Sequence, residues 1–196
     1  MPGTRIEETW DHLGLRASGS HTVVFDDVVF PLDYEIDVRK PDDWKVPDVT
    51  QATVHAIFVA AIYDGIARAA RDWLVKFLKE RVPANLGAPL ATLPRMQEVA
   101  GGIEARLAVN ARLIDSFASD FDNGFPLSAI ESNIIKLTVT NNAAAVVEDA
   151  LSLTSNHGLS RTNPLERHYR DVLCGRVHTP QDDSTRVAAG RFALGV

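Results

Sequence analysis

Four arginines, Arg161, Arg167, Arg170 and Arg176, fall within sixteen residues of a chain whose formal net charge is −6. Guanidinium groups gathered this way suit a bound phosphate or pyrophosphate, which they grip through paired planar hydrogen bonds. The step from Arg167 to Arg170 puts both on one face of a helix. Glu166 and Asp171 stand beside them, so the plain alternative is ion pairing along and between helices. Six histidines (His12, His21, His55, His157, His168 and His178) bring acid–base chemistry. None is paired as HxxxH or HxH, which argues against a metal site. The single cysteine, Cys174, reads as packing rather than as a nucleophile, because no basic partner is assured. Glycine-rich phosphate loops, HExxH, CxxC and the nucleophile elbow are all absent.

These residues need elements to hold them. With 196 residues, 45% hydrophobic and 23% charged, the chain is ample for a packed core. Its acidity argues against nucleic acid or an anionic membrane as the main partner. One cysteine fits a reducing compartment. No run of 18 uninterrupted apolar residues occurs, and the opening MPGTRIEETW lacks a signal-peptide core, so a cytoplasmic protein that spans no membrane is expected.

Residues 13–31, LGLRASGSHTVVFDDVVFP, alternate in the manner of a β-hairpin, with Pro31 ending it. Both faces are mixed in polarity, as in a strand set inside a larger sheet. The charged, proline-bearing 37–48 reads as a linker. From Val49 the period lengthens to that of a helix. Phe58, Ile62, Ile66, Ala69, Trp73 and Phe77 form a stripe that Ile57, Ala61, Ala70, Leu74 and Leu78 widen, continuing to about Val82. A second helix fits Leu93 to Phe121, with Met96, Ala100, Ile103, Leu107, Ile114, Ala118 and Phe121 on one side. A third fits Leu127 to Leu153, opened by Ser128 three residues before Glu131 as in a capping box. Shorter helices fit Pro164–Leu173, with Asn163 as cap, and Asp182–Leu194. Long helices joined by short turns make an antiparallel bundle, and surplus apolar surface calls for a second subunit. The third helix carries Asn133, Lys136, Thr138, Thr140, Asn141 and Asn142, which read as an exposed or water-filled side, or as the border of a ligand cavity.

Two stretches are recognisable. WDHLGLRASGSHTVVFDDVVFP resembles the end of the middle β-domain of the acyl-CoA dehydrogenase superfamily. NPLERHYRDVLCGRVHTP resembles a late helical segment of the same superfamily. The resemblance covers essentially the whole chain and implies a mainly α fold: an antiparallel four-helix bundle of the C-terminal type at 49–196, a linker at 37–48, and a β-domain remnant at 1–36. It implies that the rest of the sheet belongs to sequence not present here. It also implies a flavin, FAD or FMN, and a homo-oligomer, dimer or tetramer, in which cofactor reaches a neighbouring bundle. Arg81 in KERVPANLG matches the superfamily's adenine-nucleotide arginine. The flavin-contacting turn falls on SLTSNHG, where Ser152, Ser155 and Asn156 replace the usual glutamine and glycines and Gly158 alone remains. The dehydrogenases' catalytic glutamate falls on Thr179, and Asp64 is the nearest carboxylate to the alternative position. Threonine is no base at neutral pH. RVHTPQDD is instead similar to the oxygen-activating flavin monooxygenases, which carry a second histidine where this chain has Gln181. His178 is thereby the candidate catalytic proton shuttle. The substrate would be an acyl-CoA or another small molecule, and dehydrogenase and monooxygenase chemistry both stay open. A catalytically inactive helical oligomer without flavin is the alternative.

Overall fold

The computed structural model describes residues 1–34, 38–45, 48–126 and 128–196, and the chain divides into two compact units, Met1–Asp48 and Val49–Val196. Parts of the expected linker (residues 37, 46 and 47) and the expected helix start at Leu127 lie outside the described residues.

In the first unit, strand β1 (Thr4–Glu7) pairs antiparallel with β2 (Thr22–Phe25), Thr4 opposite Phe25 and Glu7 opposite Thr22. The hairpin expected within 13–31 is therefore corrected: that stretch supplies one strand, whose partner precedes it. Left-handed backbone at Leu15 and Gly19 brackets a 3-10 turn at Arg16–Ser18 and interrupts any strand there. The indole of Trp10 donates to the Leu15 carbonyl, and the Trp10 amide donates to His21 Nδ1 (3.1 Å each). Gly3 is required, since a Cβ there would lie 2.2 Å from the Asp26 carbonyl oxygen at a φ of +82°. Ile6, Val23 and Phe25 are all exposed.

The second unit holds α1 (Val49–Glu80), α2 (Pro94–Asp122), α3 (Ala129–Thr154), the single turn α4 (Asn156–Leu159), α5 (Pro164–Val172) and α6 (Asp182–Leu194). Ser128 accepts from the Glu131 amide at 3.2 Å and starts α3 as expected. Asn163 sits at the cap position of α5 without capping it; its amide donates instead to the His157 carbonyl at 2.7 Å. Cross-helix pairs set the directions. Arg71 meets Glu104 and Asp64 meets Asn110, so α2 runs antiparallel to α1. Ile57 and Ala60 cluster with Ile135 and Val139, while Phe77 meets His157 beyond α3, so α1 and α3 run the same way. From Leu165, packed under Gly158, to Gly175, packed between Tyr63 and Thr140, α5 and the 3-10 turn Leu173–Arg176 return down the groove as the fourth rod.

The core face of α1 keeps only one side of the expected stripe. Ile57, Ala70, Leu74 and Leu78 are buried as expected and are joined by Ala56, Ala60, Tyr63 and Ala67, whereas Phe58 and Ile62 are 66% and 54% exposed. Alanines at 56, 60, 67 and 70 let α3 approach closely, and dense packing rewards that more than the bulkier neighbouring face. By length and composition α1 could cross a membrane; here its small-residue face is spent on the bundle. On α3, Asn133, Thr138, Asn141 and Asn142 are half-buried, and the exposed-side alternative is corrected for the other two polar residues. Lys136 is fully buried and Thr140 nearly so. Asn142 donates to Asn110 Oδ1 (2.9 Å), Asn110 donates to Asp64 Oδ1 (2.9 Å), and Arg68 Nε donates to Asp64 Oδ2 (2.6 Å). Three helices are thus tied by one polar chain through the core.

Candidate functional site

The polar residues that face inward halfway along the bundle come from four elements. Tyr63 on α1 is fully buried, and its hydroxyl lies 3.2 Å from His178 Nδ1, in the loop between α5 and α6. His55, about two helical turns before Tyr63, meets the His178 ring edge-on at 6.3 Å between centroids. Beneath the loop, Lys136 Nζ on α3 donates to the Gly175 carbonyl at 2.7 Å and lies 3.5 Å from Asp182 Oδ1 at the start of α6. Asn141 donates to the other Asp182 oxygen at 2.9 Å. Beside them Asn141, Arg176, Gln181, Asp182 and Arg186 line a cavity of about 410 Å³.

Burial pushes the Tyr63 phenol well above its usual range, with Cys174 and Asp171 adding to it. The phenol thus keeps its proton, and either it or Nδ1 can be the donor between them. Burial first, and then His55 and Lys136, hold His178 below the ordinary imidazole range. A neutral imidazole can accept a proton and pass it on near neutral pH.

His168 is also lowered, by burial and then by Arg167, with Asp171 opposing. Both imidazoles bind protons less readily folded than unfolded, so stability is complete above the ordinary value of about 6.5 and is lost as pH falls through it toward the folded values. The urea midpoint should therefore drop between pH 7 and pH 5, and a His168→Gln/His178→Gln variant should flatten that drop. A midpoint that stays level or rises in the unsubstituted chain contradicts the assignment.

The remaining candidates gather elsewhere. Arg81 follows α1 and is exposed, with its amide still bonded to the Phe77 carbonyl; the Phe77 ring lies 5.3 Å from the tilted His157 ring, next to exposed Ser155 and Asn156. Arg81 and the SNH turn thus share one end of the bundle. Ser152 spends its hydroxyl on the Asp149 carbonyl at 2.7 Å. Gly158 is buried under packing: a Cβ would lie 2.2 Å from Thr154 Oγ1 and 2.8 Å from Leu151 Cδ1. Asp182 contacts α3 at Asn141, and Ser155 follows fourteen residues later, about 21 Å further along the helix axis. Residues 152–158 and 176–181 do not converge, and no single ring touches both within one chain. In the arginine island, Arg170 forms a two-pronged pair with Glu166 (2.9 and 3.1 Å), which accounts for it without phosphate. Asp64 is held by Arg68 and Asn110.

Tyr63 and Asp182 escaped the sequence reading. A tyrosine inside an apolar run and an aspartate in a first helical turn carry no signal of their own; only Lys136, out of place in α3, hinted at the cluster.

The family described as "Acyl-CoA dehydrogenase, C-terminal domain" matches residues 48–183. The acyl-CoA dehydrogenase-like protein YdbM of Bacillus subtilis is 34% identical over 97% of this chain and 50% of its own length. Indole-3-acetate monooxygenase of Pseudomonas putida is 31% identical over 97% of this chain and 51% of its own. In fold, butyryl-CoA dehydrogenase from Megasphaera elsdenii superposes with a TM-score of 0.83 at 24% identity, over 98% of this chain and 49% of that one. The chain thus spans about half the length of the relatives it matches.

Proposed function

The chain belongs to the acyl-CoA dehydrogenase family, and from that premise we propose that it is the C-terminal helical portion of a flavin-dependent oxidoreductase of the oxygen-activating, monooxygenase kind. The observation that carries this reading is the His178–Tyr63 pair. Where a dehydrogenase needs a carboxylate base, Thr179 stands beside an imidazole that burial keeps neutral, and the α1 carboxylate Asp64 is tied up by Arg68 and Asn110. A neutral imidazole can take up a proton, carry it briefly as the cation and return it.

Members of the family are FAD-dependent, and the residues at the end of the bundle fit the anionic part of such a group. Arg81 offers a cation, and Ser155 and Asn156 offer exposed donors on the adjoining turn. Ser152 and Gly158 fit it less well, since one is bonded within its helix and the other is filled by packing. When bound, a flavin supplies two-electron and oxygen chemistry. What this chain supplies is a cationic anchor at one end, a buried wall along α1 and α3, and a proton held at His178. Assembly into a homo-oligomer would let the two groups, apart within one chain, serve one cofactor. A small-molecule substrate then needs no acidic α-carbon.

The test combines flavin binding with oxygen uptake. The purified chain should quench added FAD or FMN fluorescence with saturation, and Arg81→Ala should weaken that at least tenfold. In the longer protein supplied with reduced flavin, His178→Ala should reduce coupled substrate oxygenation by roughly 10²-fold, the usual span for losing one positioned acid–base group. Undiminished oxygenation in that variant would remove His178 from the mechanism, and bleaching by acyl-CoA without oxygen would overturn the monooxygenase reading. Colourless chain with no flavin response would favour the structural alternative, for which the uncovered Phe58 and Phe121 beside an α1–α2 groove of about 180 Å³ speak.

A further inference from the structure

We propose that Lys136 is the positioning residue of this site: one buried ammonium clamps both ends of the turn that carries His178. The inference deepens the reading above and rests on it for its functional meaning, though its geometry stands without any cofactor.

His178 lies three residues after Gly175 and four before Asp182. Lys136 Nζ holds the Gly175 carbonyl at 2.7 Å on one flank and faces the Asp182 carboxylate at 3.5 Å on the other. The side chain of Lys136 is fully buried and that of Asp182 is 8% exposed. An ammonium taken out of water is tolerated only with close compensation, and a buried charge that loses its partner costs far more than a surface pair. The compensating groups here are the two ends of the turn, so sealing Lys136 and ordering the turn are one event. The clamp has no room to slide: a Cβ on Gly175 would lie 3.2 Å from Thr140 Cβ and 3.3 Å from Tyr63 Cδ1. Gly175 therefore admits the chain against both helices, while its carbonyl meets the lysine. Between the anchors, the His178 and Val177 amides both return to the Cys174 carbonyl (3.0 and 3.2 Å), which turns the imidazole back toward Tyr63.

The groups facing His178 are Tyr63 and His55 from α1 and Lys136 from α3, with Asp182 of α6 behind the lysine. Asp182 has further support from Asn141 at 2.9 Å and Arg186 at 3.7 Å. Gly175 is held across helices by Lys136. Loss of the lysine should thus free the Gly175 flank first. The positive charge at Lys136 also disfavours the imidazolium, so its removal should let His178 take up a proton at higher pH.

The experiment follows His178 by NMR in the whole chain, its imidazole signals identified by their absence in His178→Gln. Lys136→Met leaves Asp182 buried beside an apolar side chain and can fail to fold. Lys136→Met/Asp182→Asn removes both charges and is measured beside it. In the double variant, with helical circular dichroism retained, His178 should titrate at higher pH than in the unsubstituted chain. The ring-to-ring Overhauser effect with Tyr63 should weaken, while His168 titrates as before. A His178 titration and a Tyr63 contact that both stay unchanged in the folded double variant overturn the proposal. Undiminished oxygenation by His178→Ala would instead take His178 out of the oxygenation chemistry and leave this titration result intact, so the two failures are distinct.

Discussion

Replacing Asn110 with leucine is expected to lower the free energy of unfolding by about 3 kcal/mol, a large share of what holds a small domain folded. Asn110 is fully buried on α2. Its amide donates to Asp64 Oδ1 at 2.9 Å and to the Val139 carbonyl at 3.4 Å, and its oxygen accepts from Asn142 at 2.9 Å. Leucine fills the volume but answers none of these groups. Asp64, 6% exposed, would keep only Arg68 of its side-chain partners here, and the Asn142 amide would lose its acceptor. Each buried polar group left unanswered costs about 1–3 kcal/mol, more when charged. The check is a urea titration: the midpoint should fall with the slope unchanged. A loss below about 1 kcal/mol would show that water or rearranged partners replace the amide, and that the chain of polar groups is not a core feature.

The second large effect concerns Gly158. Alanine at this position should destabilise the chain by about 2 kcal/mol, the usual scale for forcing atoms into a filled site. Its Cβ would lie 2.2 Å from Thr154 Oγ1, 2.8 Å from Leu151 Cδ1 and 3.1 Å from Leu165 Cδ2. Thr154 cannot simply swing aside, because its hydroxyl donates to the Ala150 and Leu151 carbonyls at 3.2 and 3.0 Å and its side chain is buried. The α4 turn would instead lift from α3, carrying Ser155 and Asn156 with it. Differential scanning calorimetry should show a lowered Tm, and flavin affinity should fall only as far as the turn is displaced. An unchanged Tm with abolished flavin binding would reverse the assignment and make Gly158 a cofactor contact.

How far the site could be read ahead of the coordinates depended on the kind of signal each residue carries. His178 is legible because an imidazole in a polar loop and a superfamily motif coincide. Arg170 is legible as an ion pair, since Glu166 lies one turn away on the same helix. Lys136 was visible only as an oddity, because its partners are Gly175 and Asp182, thirty-nine and forty-six residues further on. Tyr63 gave no sign at all. Its meaning comes from a residue 115 positions away.

Local pattern alone settled five of the six helices, three long and two short, and nearly where they begin and end, though not the single turn α4: proline, the Ser128 cap and the 3.6-residue period act within a turn or two. Which face of each helix turns inward was left to the tertiary structure. On α1 apolar residues surround most of the helix, so the period is nearly silent, and close approach of α3 to Ala56, Ala60, Ala67 and Ala70 decided it. Tertiary structure also decided, within the first unit, that β2 pairs with β1 and not within its own loop, where left-handed backbone at Leu15 and Gly19 interrupts the strand. It also drew Tyr63, Lys136, His178 and Asp182 from four elements into one buried cluster. Buried charge must find its opposite wherever the fold brings one, and that distance is not written along the chain.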